Sequence, residues 1–233
     1  PTTGPDCGAT LVRDEQEAKA FCPNQSGCPT QIKGKLVHFL SRKAMNVIAG
    51  DATIEQLYNK GLVWNPADFY ELEKEHLLGL DGWKDRAAER FLKSLEESKK
   101  TPFEKVLFAL GIRHVGETTA KSMARHFKNI DAMATASRED LLAVDDIGEV
   151  IADSVLAYFA DGVNTDTIDR LKAAGLRFEV EKETEALSET LKGMTIVISG
   201  NFSISRDEMK ALIAAHGGKN SGSISGKTSY LLA

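Results

Sequence analysis

Residues 110–120, LGIRHVGETTA, and residues 141–152, LLAVDDIGEVIA, decide the fold of this chain. In each stretch, two apolar residues three positions apart precede a glycine, Gly116 or Gly148, and an alanine follows that glycine by four positions. A glycine permits a tight turn and the close approach of another backbone. The pattern therefore predicts two helices joined by a hairpin, with the second helix packed near the first.

The same pattern recurs along the chain. Four glycines stand 32, 34 and 32 residues apart, each before a segment of helical periodicity: Gly50, Gly82, Gly116 and Gly148. A fixed period of this size indicates an internal structural repeat. The copy around Gly82 has a shorter turn, under which Trp83 is expected to pack, and the copy at Gly50 keeps only one glycine. We therefore expect four hairpins, of which the third and fourth have the clearest signal.

Such hairpins are suited to binding phosphate. The second helix begins with backbone N–H groups that have no partner within the helix, and the helix dipole is positive at that end. A phosphate oxygen fits there. Because a backbone amide does not distinguish one base from another, an array of hairpins should bind nucleic acid regardless of its sequence. The alternative is a helical protein-interaction domain with glycine turns; four hairpins at one period favour nucleic acid.

The composition is that of an ordinary globular protein without excess positive charge. The 233 residues are 42% hydrophobic and 27% charged, the formal net charge is −5, and no stretch is apolar for long enough to cross a membrane. Nucleic-acid binding would then depend on local basic patches. Two segments supply such patches, unless these side chains only solvate helix faces: residues 31–50, with Lys33, Lys35, Arg42 and Lys43, and residues 113–128, with Arg113, Lys121, Arg125 and Lys128.

The three cysteines all lie near the amino terminus, at Cys7, Cys22 and Cys28. Nothing else in the sequence indicates secretion, so a metal site is favoured over a disulfide framework. The turn at residues 5–8, PDCG, is typical of a zinc knuckle, but a structural zinc site normally has four ligands and Gly4 stands where the first is expected. Three interpretations stay open: zinc with a water or a displaced side chain as fourth ligand, a metal-free and partly unfolded finger, or three reduced thiols.

The last part of the chain differs in character. Acidic residues cluster between residues 179 and 189 and predict a linker. The elements expected after it are a strand within residues 191–200, a helix over residues 206–215 that Ser205 caps and a glycine pair ends, and strands within residues 219–224 and 228–232. This order is the beginning of a small α/β domain. The first residues contain no initiator methionine and the last follow an apolar run, so we expect a piece of a longer protein.

Together these segments resemble the carboxy-terminal half of the bacterial NAD-dependent DNA ligases along nearly the whole chain. The cysteine segment is similar to that family's zinc finger, residues 39–45 to the entry of its helix-hairpin-helix domain, residues 108–117 to its most characteristic hairpin, and residues 198–218 to the opening of its BRCT domain. The sequence departs from the family at Gly4, where the family has a zinc-binding cysteine, and its BRCT segment stops before the later helices.

The resemblance implies a mainly α fold: a tandem helix-hairpin-helix domain with a small amino-terminal zinc-finger-like module and a partial α/β BRCT segment. The expected domains are a zinc-finger-like module over residues 1–31, four hairpins over residues 32–180, an acidic linker over residues 181–190 and a truncated BRCT domain over residues 191–233. The expected zinc ligands are Cys7, Cys22 and Cys28.

The resemblance also implies a function. The intact protein would seal nicks in duplex DNA during replication and repair, as a monomer in the bacterial cytoplasm: NAD adenylates a lysine, AMP passes to the 5′ phosphate, and the 3′ hydroxyl displaces it. The family's lysine lies in a Lys-x-Asp-Gly motif, which this sequence lacks. We therefore expect no catalytic residue here; NAD and magnesium would act in adenylation and OB-fold domains that precede residue 1, and this segment alone would be inactive.

The expected partner of the segment is nicked duplex DNA, and no membrane. Its contacts are expected from amides at the hairpin glycines, with four side chains adding charge: Gly50, Gly82, Gly116 and Gly148, with Lys84, Arg113, His114 and Lys121. Two other functions are open at this point. One is a non-catalytic protein-interaction scaffold, which would show exposed apolar grooves, and the other is a helix-hairpin-helix subunit of nuclease or recombination machinery, which would need a carboxylate metal site.

Overall fold

The computed structural model describes residues 2–13, 20–181, 188–200 and 202–233. They form two compact units that divide between Val180 and Glu181. Most of the predicted acidic linker, at residues 182–187, lies outside the described residues. The two units are taken in turn below, and the finer domain boundaries stay predictions.

The first unit is helical. Its described helices are α1 (Pro29–Leu40), α2 (Asp51–Asn59), a 3₁₀ helix (Pro66–Glu71), α3 (Lys74–Leu78), α4 (Asp85–Ser98), α5 (Phe103–Ala109), α6 (Glu117–Phe127), α7 (Ile130–Ala134), α8 (Arg138–Leu142), α9 (Glu149–Ala160) and α10 (Gly162–Ala173). The cysteine-containing segment before α1 is held by isolated β-bridges, one between Thr3 and Thr10 and one between Val12 and Phe21.

One apolar core runs through this unit, from Ile32 to Phe178. Phe39 of α1 is fully buried, and its ring lies 6.4 Å from that of Phe69 and 6.3 Å, edge-on, from that of Tyr70. Burial of each large apolar side chain contributes about 1.5–3 kcal/mol. The hydroxyl of Tyr70 hydrogen-bonds Ser98 at 2.8 Å, so a polar pair at the edge of the core is satisfied.

The four predicted hairpins all form. Helices α1 and α2, α3 and α4, α5 and α6, and α8 and α9 pack in pairs. In the third hairpin the buried pair Ile112 and Val115 closes the turn, with the Val115 amide donating to the Ile112 carbonyl at 3.0 Å. Ile147 and Val144 repeat this bond at 3.2 Å in the fourth. The apolar pair that marks the repeat in the sequence therefore bridges each turn.

The prediction for the second hairpin is wrong in its register and in the shorter turn, since Gly79 and Lys84 stand as far apart as Gly111 and Gly116. Helix α4 begins after Lys84, which occupies the position of Gly116 and Gly148, whereas Gly82 lies two residues earlier at φ +80°. The residues equivalent to Gly82 are His114 and Asp146, at φ +65° and +66°. Glycine meets the need for positive φ at the second hairpin, so the structural repeat is Lys84, Gly116 and Gly148, each 32 residues apart. Trp83 packs edge-on to Phe91 at 5.6 Å.

The second unit is a small α/β domain. It contains β1 (Thr195–Ile198), α11 (Arg206–Ala215), β2 (Lys219–Ser221) and β3 (Tyr230–Leu232), in a parallel sheet of order β2-β1-β3. The helix has the predicted bounds and the predicted Ser205 cap, but β1 is shorter than residues 191–200. The chain turns before it, where the Met194 amide donates to the Leu191 carbonyl at 3.0 Å. The prediction of a mainly α fold with a partial α/β segment is confirmed.

The positive φ of Asp146 restricts which residues the backbone tolerates at this position, and this can be tested. Asp146→Val should lower the free energy of unfolding by about 1–2 kcal/mol, because a β-branched side chain fits the left-handed region poorly. Asp146→Gly should not destabilise in this way. The measurement is urea denaturation followed by far-ultraviolet circular dichroism, with Asp145→Val as the matched control, since Asp145 is equally exposed and is not among the positive-φ residues. Equal losses in the two valine variants would contradict the strain argument.

Candidate nucleic-acid interface and metal centre

The second helices of the four hairpins begin without a side-chain cap. Their N-cap residues, which we call the hairpin caps, are exposed and extended, and none of their side chains accepts a bond from the first turn: Gly50, Lys84, Gly116 and Gly148. Helices α7, α8 and α10 instead begin at Asn129, Ser137 and Asp161, whose side chains accept from first-turn amides. The first turns of the hairpin helices thus lack the usual internal acceptor.

Nothing within the described protein requires a glycine at three of these caps. Gly50, Gly116 and Gly148 have φ values of −97°, −82° and −92°, which any residue adopts. A Cβ added to any of the three would meet no atom within 4 Å. Internal packing and backbone strain therefore leave the absence of a side chain unexplained. An exposed glycine at a helix start leaves the main chain open to close approach by another molecule.

Each hairpin helix also starts with an acidic residue: Asp51, Asp85, Glu117 and Glu149. These carboxylates stabilise the helix dipole but would repel an anion. Three of them lie beside a cation, at 2.8 Å from Lys74 to Asp85, 4.0 Å from Lys43 to Glu117, and 3.9 Å from Arg138 to Glu149. The bond from Lys74 lowers the pKa of the Asp85 carboxyl. These pairs reduce the negative charge in front of the caps.

Three of the predicted charged side chains lie at or near the hairpin caps. Lys84 is itself a cap, His114 occupies the left-handed position of the third turn, and Lys121 is exposed on α6. The patch over residues 31–50 is partly engaged elsewhere, because Lys33 pairs with Glu55 at 3.2 Å. Burial also lowers the pKa of Lys35. The positive charge available near the hairpins is therefore smaller than the sequence indicates.

Arg113 has a role that its position in the sequence does not reveal. Its guanidinium stacks on the ring of Phe21, 3.6 Å from the ring centroid, and its Nε lies 3.1 Å from Nε2 of His114. Phe21 belongs to the cysteine-containing segment, so this contact joins that segment to the third hairpin. His38 of α1 holds the same region, with Nε2 2.8 Å from the Phe108 carbonyl oxygen.

The three cysteines come together as predicted. Their sulfur atoms all lie within 4.8 Å of one another, and those of Cys7 and Cys22 are 3.5 Å apart. Zinc–sulfur bonds of about 2.3 Å in a tetrahedron place sulfurs about 3.8 Å apart, so the cluster fits the metal. The knuckle is formed by Gly8 at φ +68°, whose amide donates to the Gly4 carbonyl at 2.9 Å. A bond from the Ala9 backbone lowers the pKa of the Cys7 thiol, which favours the thiolate that a metal needs.

These features define a class: a tandem helix-hairpin-helix protein with a cysteine metal module before the hairpins and an α/β unit after them. Three family models match the chain in that order. They are the NAD-dependent DNA ligase C4 zinc finger domain at residues 5–29, the helix-hairpin-helix motif at residues 105–168, and the BRCA1 C Terminus (BRCT) domain at residues 187–233.

Curated relatives agree with these matches. The chain is 58% identical over 231 residues to a DNA ligase of Parabacteroides distasonis and 52% identical over 232 residues to one of Phocaeicola vulgatus. Each alignment covers 98% of this chain and 35% of the relative, so the chain spans about a third of the length of the relatives it matches. The chain belongs to the NAD-dependent DNA ligases, as a segment of their carboxy-terminal part. Among the described residues, no helix has the length and apolar character needed to cross a membrane.

The stacking of Arg113 on Phe21 can be measured directly. In a double-mutant cycle of Phe21→Ala and Arg113→Ala, we expect a coupling energy of about 0.5–2 kcal/mol in urea denaturation, because each single change removes the same cation–π contact. Phe21→Leu, which keeps apolar bulk but loses the ring face, should retain little of the coupling. Strictly additive effects of the two alanine substitutions would show that the contact does not stabilise this junction.

Proposed function

We propose that this chain is the part of a nick-sealing DNA ligase that binds the DNA backbone. The observation that carries the proposal is the set of four exposed hairpin caps, three of them glycines that neither packing nor backbone strain requires. Each cap presents first-turn amides and the positive end of a helix dipole to solvent. A phosphate oxygen is the ligand that suits this arrangement.

The binding is independent of base sequence. Backbone amides contact phosphate oxygens, which are the same at every step of the duplex, and no base edge takes part. The proposed contacts include every residue expected from the sequence, with the second hairpin centred on Lys84: Gly50, Gly82, Lys84, Arg113, His114, Gly116, Lys121 and Gly148. Stacking on Phe21 holds the guanidinium of Arg113 in one position, so its positive charge stays beside the third hairpin.

The cysteine cluster has a structural role in this proposal. Cys7, Cys22 and Cys28 would hold zinc, as the family model and the separations of the sulfurs support. When bound, the metal supplies folding energy to a segment that has little core of its own. Phe21 comes directly before Cys22 in that segment, and its ring stacks on Arg113. An ordered metal module would therefore also support the third hairpin.

The activity of the whole protein is a proposal from its relatives, which are named DNA ligases. The intact protein would join nicked duplex DNA in the cytoplasm, where its substrate lies, as a monomer that uses NAD and magnesium in adenylation and OB-fold domains. This segment lacks the Lys-x-Asp-Gly motif of the nucleophile and would be inactive alone. Its part in the reaction is to hold the duplex.

A substitution at a hairpin cap separates stability from binding. Gly116→Asp should raise the free energy of unfolding by about a few tenths of a kcal/mol, because aspartate is a slightly better N-cap than glycine and its charge favours the positive end of the helix dipole. The same carboxylate occupies the proposed phosphate site, so affinity for duplex DNA should fall at least about tenfold whatever the base sequence. Thermal unfolding and fluorescence anisotropy with labelled duplexes measure the two effects.

The matched control is Gly162→Asp. Gly162 starts α10, which Asp161 already caps, and a Cβ there meets no atom within 4 Å, so the added charge is the same at a helix start outside the hairpins. Affinity should stay within about twofold of the wild-type value. Equal losses in the two variants would mean that net charge, and not occupation of the cap, governs binding.

The dependence of affinity on salt tests the phosphate contacts as a set. With nicked and intact duplexes, the logarithm of the binding constant should fall linearly with the logarithm of salt concentration, because cationic side chains release about 0.9 counterions per phosphate that they neutralise. Lys84→Gln and Lys121→Gln should each make the slope shallower. An affinity that does not respond to salt would favour a protein-interaction scaffold instead.

A further inference from the structure

We infer that the cysteine cluster is a three-thiolate metal site whose fourth ligand comes from solution, and that it accepts a small thiolate there. The inference deepens the zinc binding proposed above and rests on it. It concerns this chain in particular, because the usual four-cysteine site of such a finger is closed to outside ligands.

The position of Gly4 shows where the tetrahedron is incomplete. An ideal Cβ on Gly4 lies 3.6 Å from the sulfur of Cys7, 3.7 Å from the Ala9 carbonyl oxygen and 3.7 Å from a methyl of Leu11. Each is an ordinary van der Waals distance, so a side chain fits at Gly4, with its Cβ in contact with the sulfur of Cys7. The glycine is not there to relieve a clash.

Backbone geometry gives no reason for the glycine either. Gly4 does not occupy the left-handed region, in contrast to Gly8 at φ +68°. The Gly4 amide donates to the Ala9 carbonyl at 2.8 Å, and its carbonyl accepts from the Gly8 amide, so the knuckle is built with Gly4 in place. The turn over residues 4–8 is therefore formed, but it carries one thiolate, that of Cys7, where a four-cysteine finger has two.

No other described side chain replaces the missing thiolate. Within residues 2–13, 20–181, 188–200 and 202–233, the group of close metal-ligating atoms contains only the three cysteines. Asp6, the neighbour of Cys7, is held elsewhere, since its Oδ2 accepts a hydrogen bond from the Thr30 hydroxyl at 2.6 Å. Among the described side chains, none therefore supplies the fourth ligand of a tetrahedral ion at this place, which leaves that position to a ligand from solution.

The chemistry of the three sulfurs selects the class of ligand. Zinc among three thiolates prefers a fourth soft donor over water, and thiolate sulfur and imidazole nitrogen are its common partners. A low-molecular-weight thiol completes the same four-sulfur set that a cysteine at position 4 would provide. Cys7 and Cys22 are partly exposed, which gives a small molecule access to the cluster.

The test uses cobalt(II) in place of zinc, with the whole chain and three forms of it: wild type, Gly4→Cys and Gly4→Ala. Cobalt absorption reports the number of sulfur ligands and the tetrahedral geometry. We expect the wild-type spectrum to gain sulfur-to-cobalt intensity, with saturation, on titration with 2-mercaptoethanol. Gly4→Cys should show the saturated spectrum without added thiol and should not respond. Gly4→Ala, which adds volume without a donor, should behave like the wild type.

Zinc affinity provides a second measurement. In competition with a chromophoric chelator and without added thiol, Gly4→Cys should bind zinc at least about tenfold more tightly than the wild type and than Gly4→Ala, because even the loss of a residue that only supports a ligand costs about 10–100-fold in affinity. A wild-type spectrum that ignores thiol, or equal zinc affinity in wild type and Gly4→Cys, would overturn the inference. The thiol titration needs only the wild-type chain, so it decides the matter even if a variant fails to fold.

The result is distinguishable from failure of the DNA-binding proposal. If the wild-type chain binds no cobalt at all, the three-thiolate site is wrong, while the DNA titrations of Gly116→Asp and Gly162→Asp keep their meaning. If cobalt binds and responds to thiol but DNA affinity is indifferent to Gly116→Asp, the metal site stands and the hairpin proposal falls.

Discussion

The structure depends on one constraint: four helices begin where a turn ends, and their first amides find no side-chain acceptor. A helix start without a side-chain cap has a small cost, because a glycine at the N-cap is worse than aspartate, asparagine or serine by only about a few tenths of a kcal/mol. Helices α7, α8 and α10 of the same unit have side-chain caps. The hairpin helices forgo this stabilisation at equivalent, exposed positions, and a phosphate would supply the missing acceptor. The unit is therefore less stable alone than it could be, in a way that binding would correct.

The turns keep these amides in place by burying what precedes them. In the third and fourth hairpins an apolar pair closes the loop with one backbone bond, and a residue at positive φ redirects the chain towards the helix. The side chains that fix the turn point into the core, whereas the cap that follows is exposed. The buried residues thus hold the turn in place, and the exposed cap next to them leaves the first-turn amides accessible to a ligand. A loop fixed by polar caps could not leave its amides available to a ligand.

The sequence predicts the elements that depend on local chemistry. The period near 32, the helix starts after Gly116 and Gly148, the bounds of α11 and the meeting of the cysteines all follow from turn, capping or ligand patterns, and they are confirmed. The register of the second hairpin could not be predicted in this way. A glycine in the sequence can occupy a left-handed turn position, as Gly82 does, or an N-cap position, as Gly116 does, and the sequence does not distinguish the two. The stacking of Arg113 on Phe21 joins residues far apart in the chain, and no local pattern contains it.

The need for an array follows from magnitudes. One helix terminus contributes about 0.3–1 kcal/mol with a charge near the surface, and about 2 kcal/mol in a favourable geometry. Non-specific DNA binding with a dissociation constant of about 10⁻⁴–10⁻⁶ M requires about 5.5–8 kcal/mol. One hairpin is too weak by a wide margin, whereas four in one compact unit, with a few lysines, would approach that range when they contact the same duplex, because the second and later contacts form without a new loss of translational freedom. With the proposed contacts, a chain of net charge −5 would bind a polyanion through several hairpins at once.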